Sequence, residues 1–513
     1  MVGQPAAPTL RQAALLSGAA PLCQECLLQP WVADEVRTAN RDDARLDARF
    51  ALVLDRLSQQ PALTCNAACR GHAEVAAAYR FINNPKATAQ ALLDPHAAAT
   101  LERIRQQPVV ILAQDTSEAD RTCPHEQMNG AGLLNDAGRV GLYLHPLLAL
   151  TPDRLPLGVV GAKRWARDPE AFAQPAVEKA KQRKAKPIQD KQSVRWLEGY
   201  HRAGDVAQEC PPTQVICVSD RDGDRYACRA AAEAVPAAGP RPADWIVRAC
   251  QDRALAEEPT ADAAGPLFTA AAAGPVRQRL TLDVSKRVPK SKDPRKRKQP
   301  RVARQAVATV PAARVTLRGP WRTGTGKLAD GTVNVVLVRE QAAPAGAEPL
   351  EWLLLTRLPV QTAAQAVRVV HSYCCRWPSE VYFRVLKSGC PIEASQLETQ
   401  EAFEAYLTLC LSVAWRVLYL LLLGRECPAL PCDRVLGTHE GQAVDVVVTG
   451  QPPPAQPPPL GERVRRIASL GGYLGRKGDG PPGPKAMWLG MQRMTDRALG
   501  WQAFASIGPP PTG

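Results

Sequence analysis

After an Ala/Pro/Gln-rich stretch over residues 1–29, apolar positions recur three and four apart. In "ADEVRTANRDDARLDARFALVLDRLSQQP" (33–61) they do so with arginines on the opposite face, the pattern of amphipathic helices. "AEVAAAYRFINNP" (73–85) repeats the style and stops at Asn-Pro. The pattern then changes. "PVVILAQD" (108–115) and "QVICVSD" (214–220) are short, continuous apolar runs that each end on an acid, which predicts buried strands. Strand-like runs continue at 278–284, 314–317, 333–338 and 351–360, the third within "ADGTVNVVLV", which carries a hairpin-type Asp-Gly. Helical patterns return at 361–372, 378–388 and 400–423, and shorter ones at 461–474 and 486–504 lie beside Pro-rich breaks at 452–459 and 481–484.

The boundaries that follow are a poorly ordered extension (1–29), a helical module (30–107), a mixed α/β centre (108–400) and a second helical module (401–513). The longest apolar run, 405–424, has the length of a membrane span. Arg416 near its middle, with Thr408 and Ser412, makes it a buried core helix instead. The start lacks a basic segment and a long apolar core, so no secretory signal is expected.

Charge adds a partner. The 513 residues carry a formal net charge of +14, which favours a polyanion, nucleic acid being the commonest. Residues 286–304, "KRVPKSKDPRKRKQPRVAR", hold ten Lys/Arg against one Asp between strand-like runs, and 179–195 is a more dilute version. Both read as loops able to meet phosphates. The 15 cysteines are scattered and odd in number, which excludes a disulfide framework and points to a reducing compartment. Cys23, Cys26, Cys65 and Cys69 could in principle hold zinc, but buried free thiols fit the spacing better.

Candidate chemistry lies in the acids. Asp115 and Asp220 each close an apolar run, where an ionised carboxylate needs either a turn to cap or a compensating cation. With Glu380 they make three carboxylates, a set able to hold two divalent cations for phosphodiester cleavage. Glu380 belongs to "YCCRWPSEVYFRVLK" (373–387), where Tyr373, Arg376, Glu380 and Lys387 stand at offsets of 0, 3, 7 and 14. On one continuous helix, at about 100° per residue, all four share a sector about 60° wide. Pro378 either kinks that helix or marks the first turn of a new one near Trp377.

The spacing Y-x2-R-x3-E-x6-K resembles the signature of bacterial DDE transposases of the insertion-sequence-four family, the group containing the transposon-five transposase. "QDTS" (114–117) resembles the strand of its first Asp, "VSDRDGD" (218–224) its second-Asp motif, and Trp352 and Arg248 match DNA-contacting positions. "DARLDAR" (43–49) and "AYRFINNP" (78–85) resemble its end-binding domain, and 466–483 and 487–496 its C-terminal region. Asp222-Gly223 stands where Glu-Ala is common, and Ser379 where an aliphatic residue is usual.

The resemblance implies a ribonuclease-H-like α/β core with a β-rich insertion at about 225–350, flanked by a helical transposon-end DNA-binding domain and a helical dimerisation region. It implies Asp115, Asp220 and Glu380 as catalytic acids holding two Mg²⁺ ions, with Mn²⁺ as a substitute. Tyr373, Arg376, Lys387 and Arg248 would contact DNA, and Trp352 would stack on a flipped base. The expected activity is cut-and-paste transposition: nicking at terminal inverted repeats, hairpin formation by the freed 3′-hydroxyl, and transfer into target DNA. The expected assembly is a homodimer on double-stranded DNA in the bacterial cytoplasm, at the nucleoid. The alternative is a catalytically inactive DNA-binding relative that inhibits transposition.

Overall fold

The computed structural model describes residues 28–122, 128–135, 138–167, 188–233, 242–256, 267–287, 300–322 and 326–507. Of the extension 1–29 expected to be poorly ordered, 1–27 lies outside the described residues, as do Cys23, Cys26 and most of the two basic segments (179–187 and 288–299), while Gln29 is held in place, its N–H donating to Asp55 at 3.0 Å. Helices α1 (Pro30–Val36), α2 (Ala44–Gln59), α3 (Cys65–Ala68), α4 (His72–Ile82) and α5 (Ala89–Arg105) come first. Strands β1 (Val109–Gln114), β2 (Ser117–Asp120), β3 (Gly132–Leu133), β4 (Val140–Leu150) and β5 (Pro156–Trp165) follow. Next are α6 (Val194–Glu209), β6 (Gln214–Ser219), α7 (Tyr226–Glu233), β7 (Asp244–Arg248), α8 (Leu267–Ala273), β8 (Val276–Val284) and β9 (Arg304–Leu317). Then come β10 (Trp321–Arg322), β11 (Gly326–Lys327), β12 (Gly331–Glu340), β13 (Glu351–Thr356) and α9 (Ala363–Cys374). The chain ends in α10 (Trp377–Arg384), α11 (Gln400–Glu426), α12 (Thr438–Thr449), α13 (Leu460–Leu470) and α14 (Pro484–Ile507).

These elements form two compact units. One spans Met1–Val110, Thr116–Ala173 and Trp377–Gly513; the other spans Ile111–Asp115 and Gln174–Arg376. The grouping cuts across the boundaries expected at 107/108 and 400/401, because the apolar C-terminal helix is the core of the first unit. α11 packs on α2, α5, β5 and α13. Its apolar stretch is long enough to cross a membrane, yet 94% of it is buried. Arg416 is reconciled with this interior by local partners. Its guanidinium donates to the Val435 carbonyl and lies 5.4 Å from the Trp31 ring centre. Burial pushes its pKa down to about 10. Beside it, Trp415 donates to the Pro156 carbonyl at 2.9 Å and takes the Arg103 guanidinium over its ring at 4.3 Å.

The second unit is a mixed sheet. Its strand order is β1-β6-β7-β13-β12-β9-β8, with β6 and β7 parallel and every pair from β7–β13 to β9–β8 antiparallel. The apolar runs read as strands therefore lie side by side, and β13, the "EWLLLT" run, pairs with β7 so that Leu354 stands opposite Arg248. Helix α9 packs on β6, β7, β12 and β13. It starts at a capping box in which the Thr362 side chain accepts the Gln365 N–H and the Gln365 side chain returns the bond to Thr362 N–H.

A buried charge triad holds the first unit's helices. Glu35, 2% exposed, accepts from Arg103 at 2.6 Å and pairs with His96. Arg103 also donates to the Leu157 carbonyl at 2.6 Å. Burial alone would raise the Glu35 carboxyl. Arg103 and His96 overcome it and hold the group at about 2. Because that folded value lies below the unfolded 4.5, the stabilisation is full above about pH 4.5 and lost as pH falls through about 2. Glu35→Gln is expected to cost about 3–5 kcal/mol by leaving Arg103 buried without its counter-charge. In thermal melts it should also flatten the loss of stability between about pH 4.5 and 2, relative to wild type.

Candidate active site

The site grows from two strand ends. Asp115 follows β1 and Asp220 follows β6, which are neighbours in the sheet. Gln114 and Ser219, one residue before each acid, line the same cleft, and Gln114 donates to the Cys217 Sγ at 3.1 Å. Each half-buried carboxylate has found a different solution to its desolvation. Asp220 caps: its Oδ1 accepts the Asp222 N–H at 2.9 Å and so opens the 3₁₀ turn Arg221–Gly223. Asp115 is paired: its Oδ2 receives the Arg376 guanidinium at 2.5 Å, with the two side chains 18% and 14% exposed.

The turn after Asp220 is tightly built. Asp224 is buried and accepts the Arg253 guanidinium at 2.6 Å and the Cys250 N–H at 2.8 Å. A Cβ on Gly223 would stand 2.3 Å from the Ser219 hydroxyl, so the departure from Ala at this position has a local steric cause. Sequence reading passed over Arg253, Ser219 and Gln114. For the latter two, adjacency to the motif acids was the available signal; for Arg253 there was none.

Around this pair the second unit gathers four more of the predicted residues. Tyr373, 7% exposed, packs its ring against Trp352 with centroids 5.5 Å apart and planes inclined at 60°. Burial raises the Tyr373 phenol, while Arg376 and Arg248 pull it down and Asp220 pushes it up. Burial lowers Arg248, which also donates to the Glu351 carbonyl at 2.9 Å, and Tyr373 opposes that shift. Asp115, Arg376, Tyr373, Trp352, Arg248 and Asp220 thus belong to one cluster. Tyr373 is a packed member of it.

Glu380 and Lys387 belong to the first unit. Of the two alternatives that Pro378 leaves open, the structure shows the second, a new helix starting at Trp377, so the four signature residues do not share one continuous helix. α9 ends at Cys374 and α10 begins at Trp377. Pro378 is the cause: it has no N–H, its ring conflicts with the carbonyl four residues earlier, that of Cys374, and it fits the first turn of a new helix. Glu380 lies exposed in that first turn. Lys387 sits in a π-helical turn, Val385–Gly389, with its ammonium 3.7 Å from Glu393. Ser379, just before Glu380, is 3% exposed and its hydroxyl finds no hydrogen-bond partner among the described residues.

Asp115 and Asp220 offer carboxylate oxygens only, the donor type that suits a hard divalent cation such as Mg²⁺. Among the described residues no three His, Cys, Asp or Glu side chains are gathered as a metal cluster. The compensating positive charge at Asp115 is the Arg376 guanidinium. Removing it by Arg376→Ala is expected to lower unfolding free energy by about 1–3 kcal/mol in urea denaturation. Arg376→Ala combined with Asp115→Asn should cost less than the sum of the single changes, which the double-mutant cycle reads directly.

Residues 28–87 match the transposase DNA-binding family, and residues 412–503 match the Tn5 transposase dimerisation domain. Among solved structures, a piggyBac transposase synaptic complex with hairpin DNA aligns over 94% of this chain and 72% of its own, at 8% identity and a TM-score of 0.33. Overlap at that level carries no argument about fold or function. The chain therefore carries segments similar to transposase DNA-binding and Tn5-type dimerisation domains, and the pair of matches supports a DNA transposase.

Proposed function

We propose that the protein is a cut-and-paste DNA transposase of the insertion-sequence-four type, with a ribonuclease-H-like core built on β1 and β6 and Asp115, Asp220 and Glu380 as its acids. The observation that carries the reading is the cluster in the second unit. Two acids end neighbouring strands, and Arg376, Tyr373, Arg248 and Trp352 stand with them. A merely structural acid needs only one counter-charge, and a cluster with two arginines and a half-buried indole is suited to phosphate and base.

In this reading the three carboxylates hold two Mg²⁺ ions, which when bound would activate water and stabilise the leaving oxygen. Arg376 serves Asp115 in the DNA-free chain and turns to a backbone phosphate when DNA enters. Arg248 holds its charge beside Tyr373 and adds a second phosphate contact. Trp352 offers its ring to a base turned out of the duplex. Two copies pair the DNA ends through the C-terminal helices, in the cytoplasm at the nucleoid. The Ser379 hydroxyl beside Glu380, which has no hydrogen-bond partner among the described residues, favours one rival, an inactive relative that binds the ends and inhibits transposition.

Full-length protein with Mg²⁺ and DNA carrying the inverted repeats that flank its reading frame separates the two. The wild type is expected to nick those ends. Asp115→Asn, Asp220→Asn and Glu380→Gln should bind them equally well but cleave roughly 10²–10⁴-fold more slowly. Binding by the wild type with no nicking, beside a working control transposase, would leave the inhibitor as the answer.

A further inference from the structure

The matched DNA-binding segment holds two cysteines one helical turn apart. α3 is a single turn, and the Cys69 N–H that closes it donates to the Cys65 carbonyl at 3.3 Å. Residues four apart on such a turn lie on one face, with Cβ atoms about 5–6 Å apart. Both thiols are free, and they hydrogen-bond each other. They differ in access: Cys65 is 4% exposed, whereas Cys69 is half-buried. They also differ in charge. The hydrogen bond with Cys65 is the chief influence holding the Cys69 thiol below its ordinary range; Arg56 and Arg49 add to it, and burial and Glu74 oppose it. Arg56 acts while paired with Asp55 and Glu74. The same hydrogen bond, with burial, pushes the Cys65 thiol up. An accessible sulfur favoured as thiolate beside a protonated one is the arrangement of an attacking and a resolving thiol.

A disulfide needs its Cβ atoms about 3.5–4.5 Å apart, so the turn must contract to form one. The local chain permits this. Cys69 already has extended backbone, at φ −81° and ψ 152°. Gly71, two residues on, stands at φ +88° with open space where a Cβ would point. A cavity bordered by Thr64, Asn66, Tyr79, Gln396 and Tyr406 opens onto Cys65. Because α3 packs on α2 and α4, its contraction is passed to both helices of the matched segment.

We propose that Cys65 and Cys69 form a reversible oxidation site, at which a peroxide closes a disulfide and so weakens the hold of residues 28–87 on DNA. The Cys69 thiolate attacks a peroxide oxygen and the O–O bond breaks. Cys69 becomes a sulfenic acid, and the released hydroxide takes a proton and leaves as water. The Cys65 sulfur then attacks the Cys69 sulfur, the S–O bond breaks, and the hydroxyl leaves with the Cys65 proton as a second water. The thiol pair is oxidised, the peroxide is reduced, and a thiol reductant reverses the bond. Such a pair suits a reducing compartment, where disulfides are transient and redox-sensing. The effect on DNA rests on the reading of the protein as a transposase; the disulfide does not.

The test treats full-length protein with hydrogen peroxide, alkylates the remaining thiols and maps them by peptide mass spectrometry, with the exposed Cys250 as reference. A Cys65–Cys69 cross-link reversed by dithiothreitol is expected. Cys69→Ser should lack it, and Cys65→Ala should leave a sulfenic acid on Cys69 that dimedone traps. If Cys65 and Cys69 both still alkylate once Cys250 is oxidised, or Cys65 joins its other thiol neighbour Cys410, the site is overturned. Anisotropy with a fluorescein-labelled duplex carrying the flanking inverted repeats reads the consequence. Peroxide should weaken binding by wild type roughly 5- to 150-fold and leave Cys69→Ser unchanged. Untreated, Cys69→Ser should bind and melt as wild type does. Equal loss in both proteins, or full binding by the cross-linked wild type, overturns the link to DNA. If reduced wild type binds no repeat DNA, the transposase reading fails, and the mapped cross-link still decides the oxidation site.

Discussion

A carboxylate placed at the end of a buried strand must be neutralised or hydrogen-bonded, and the arrangement of the second unit follows from that constraint. Asp220 meets it with a backbone N–H and thereby sets the 3₁₀ turn, whose tightness requires Gly223 and is braced by Asp224 and Arg253. Asp115 meets it with Arg376, which anchors the chain just past the end of α9. That anchor brings Tyr373 down onto Trp352 and Arg248, so a single electrostatic requirement gathers residues separated by more than a hundred positions in the chain.

Much of this was legible in sequence because strands buried on both faces write themselves as continuous apolar runs. β1, β6 and β13 fall within one to four residues of the runs that predicted them. The long helix α11 was equally readable as a buried core helix, and the structure adds the Val435 carbonyl that receives the Arg416 guanidinium. What the sequence left open was the choice at Pro378 between a kinked helix and a new one starting near Trp377, and the structure takes the second. An offset rule assumes one uninterrupted helix, and a proline four residues after Cys374 removes that assumption. Periodicity could not give the grouping of the helices at the two ends of the chain, since an apolar stripe says that a face is covered but not by what.

The two units divide the proposed labour. The matched DNA-binding and dimerisation segments, 28–87 and 412–503, lie within the first, and the strand-end acids Asp115 and Asp220 lie in the second together with strands β7 to β13. The densest run of positive charge, 286–304, falls in the sequence between strands β8 and β9, reaching the first residue of β9.

The central proposal is that Asp115 and Asp220 contribute to a divalent-cation site, with Arg376 balancing Asp115 in the metal-free chain. Mn²⁺ binding to the full-length protein, followed by electron paramagnetic resonance, tests it without reference to activity. The account predicts saturable binding in the wild type, strongly weakened in Asp115→Asn and in Asp220→Asn, and strengthened in Arg376→Ala. Equal Mn²⁺ uptake by all four proteins would contradict it.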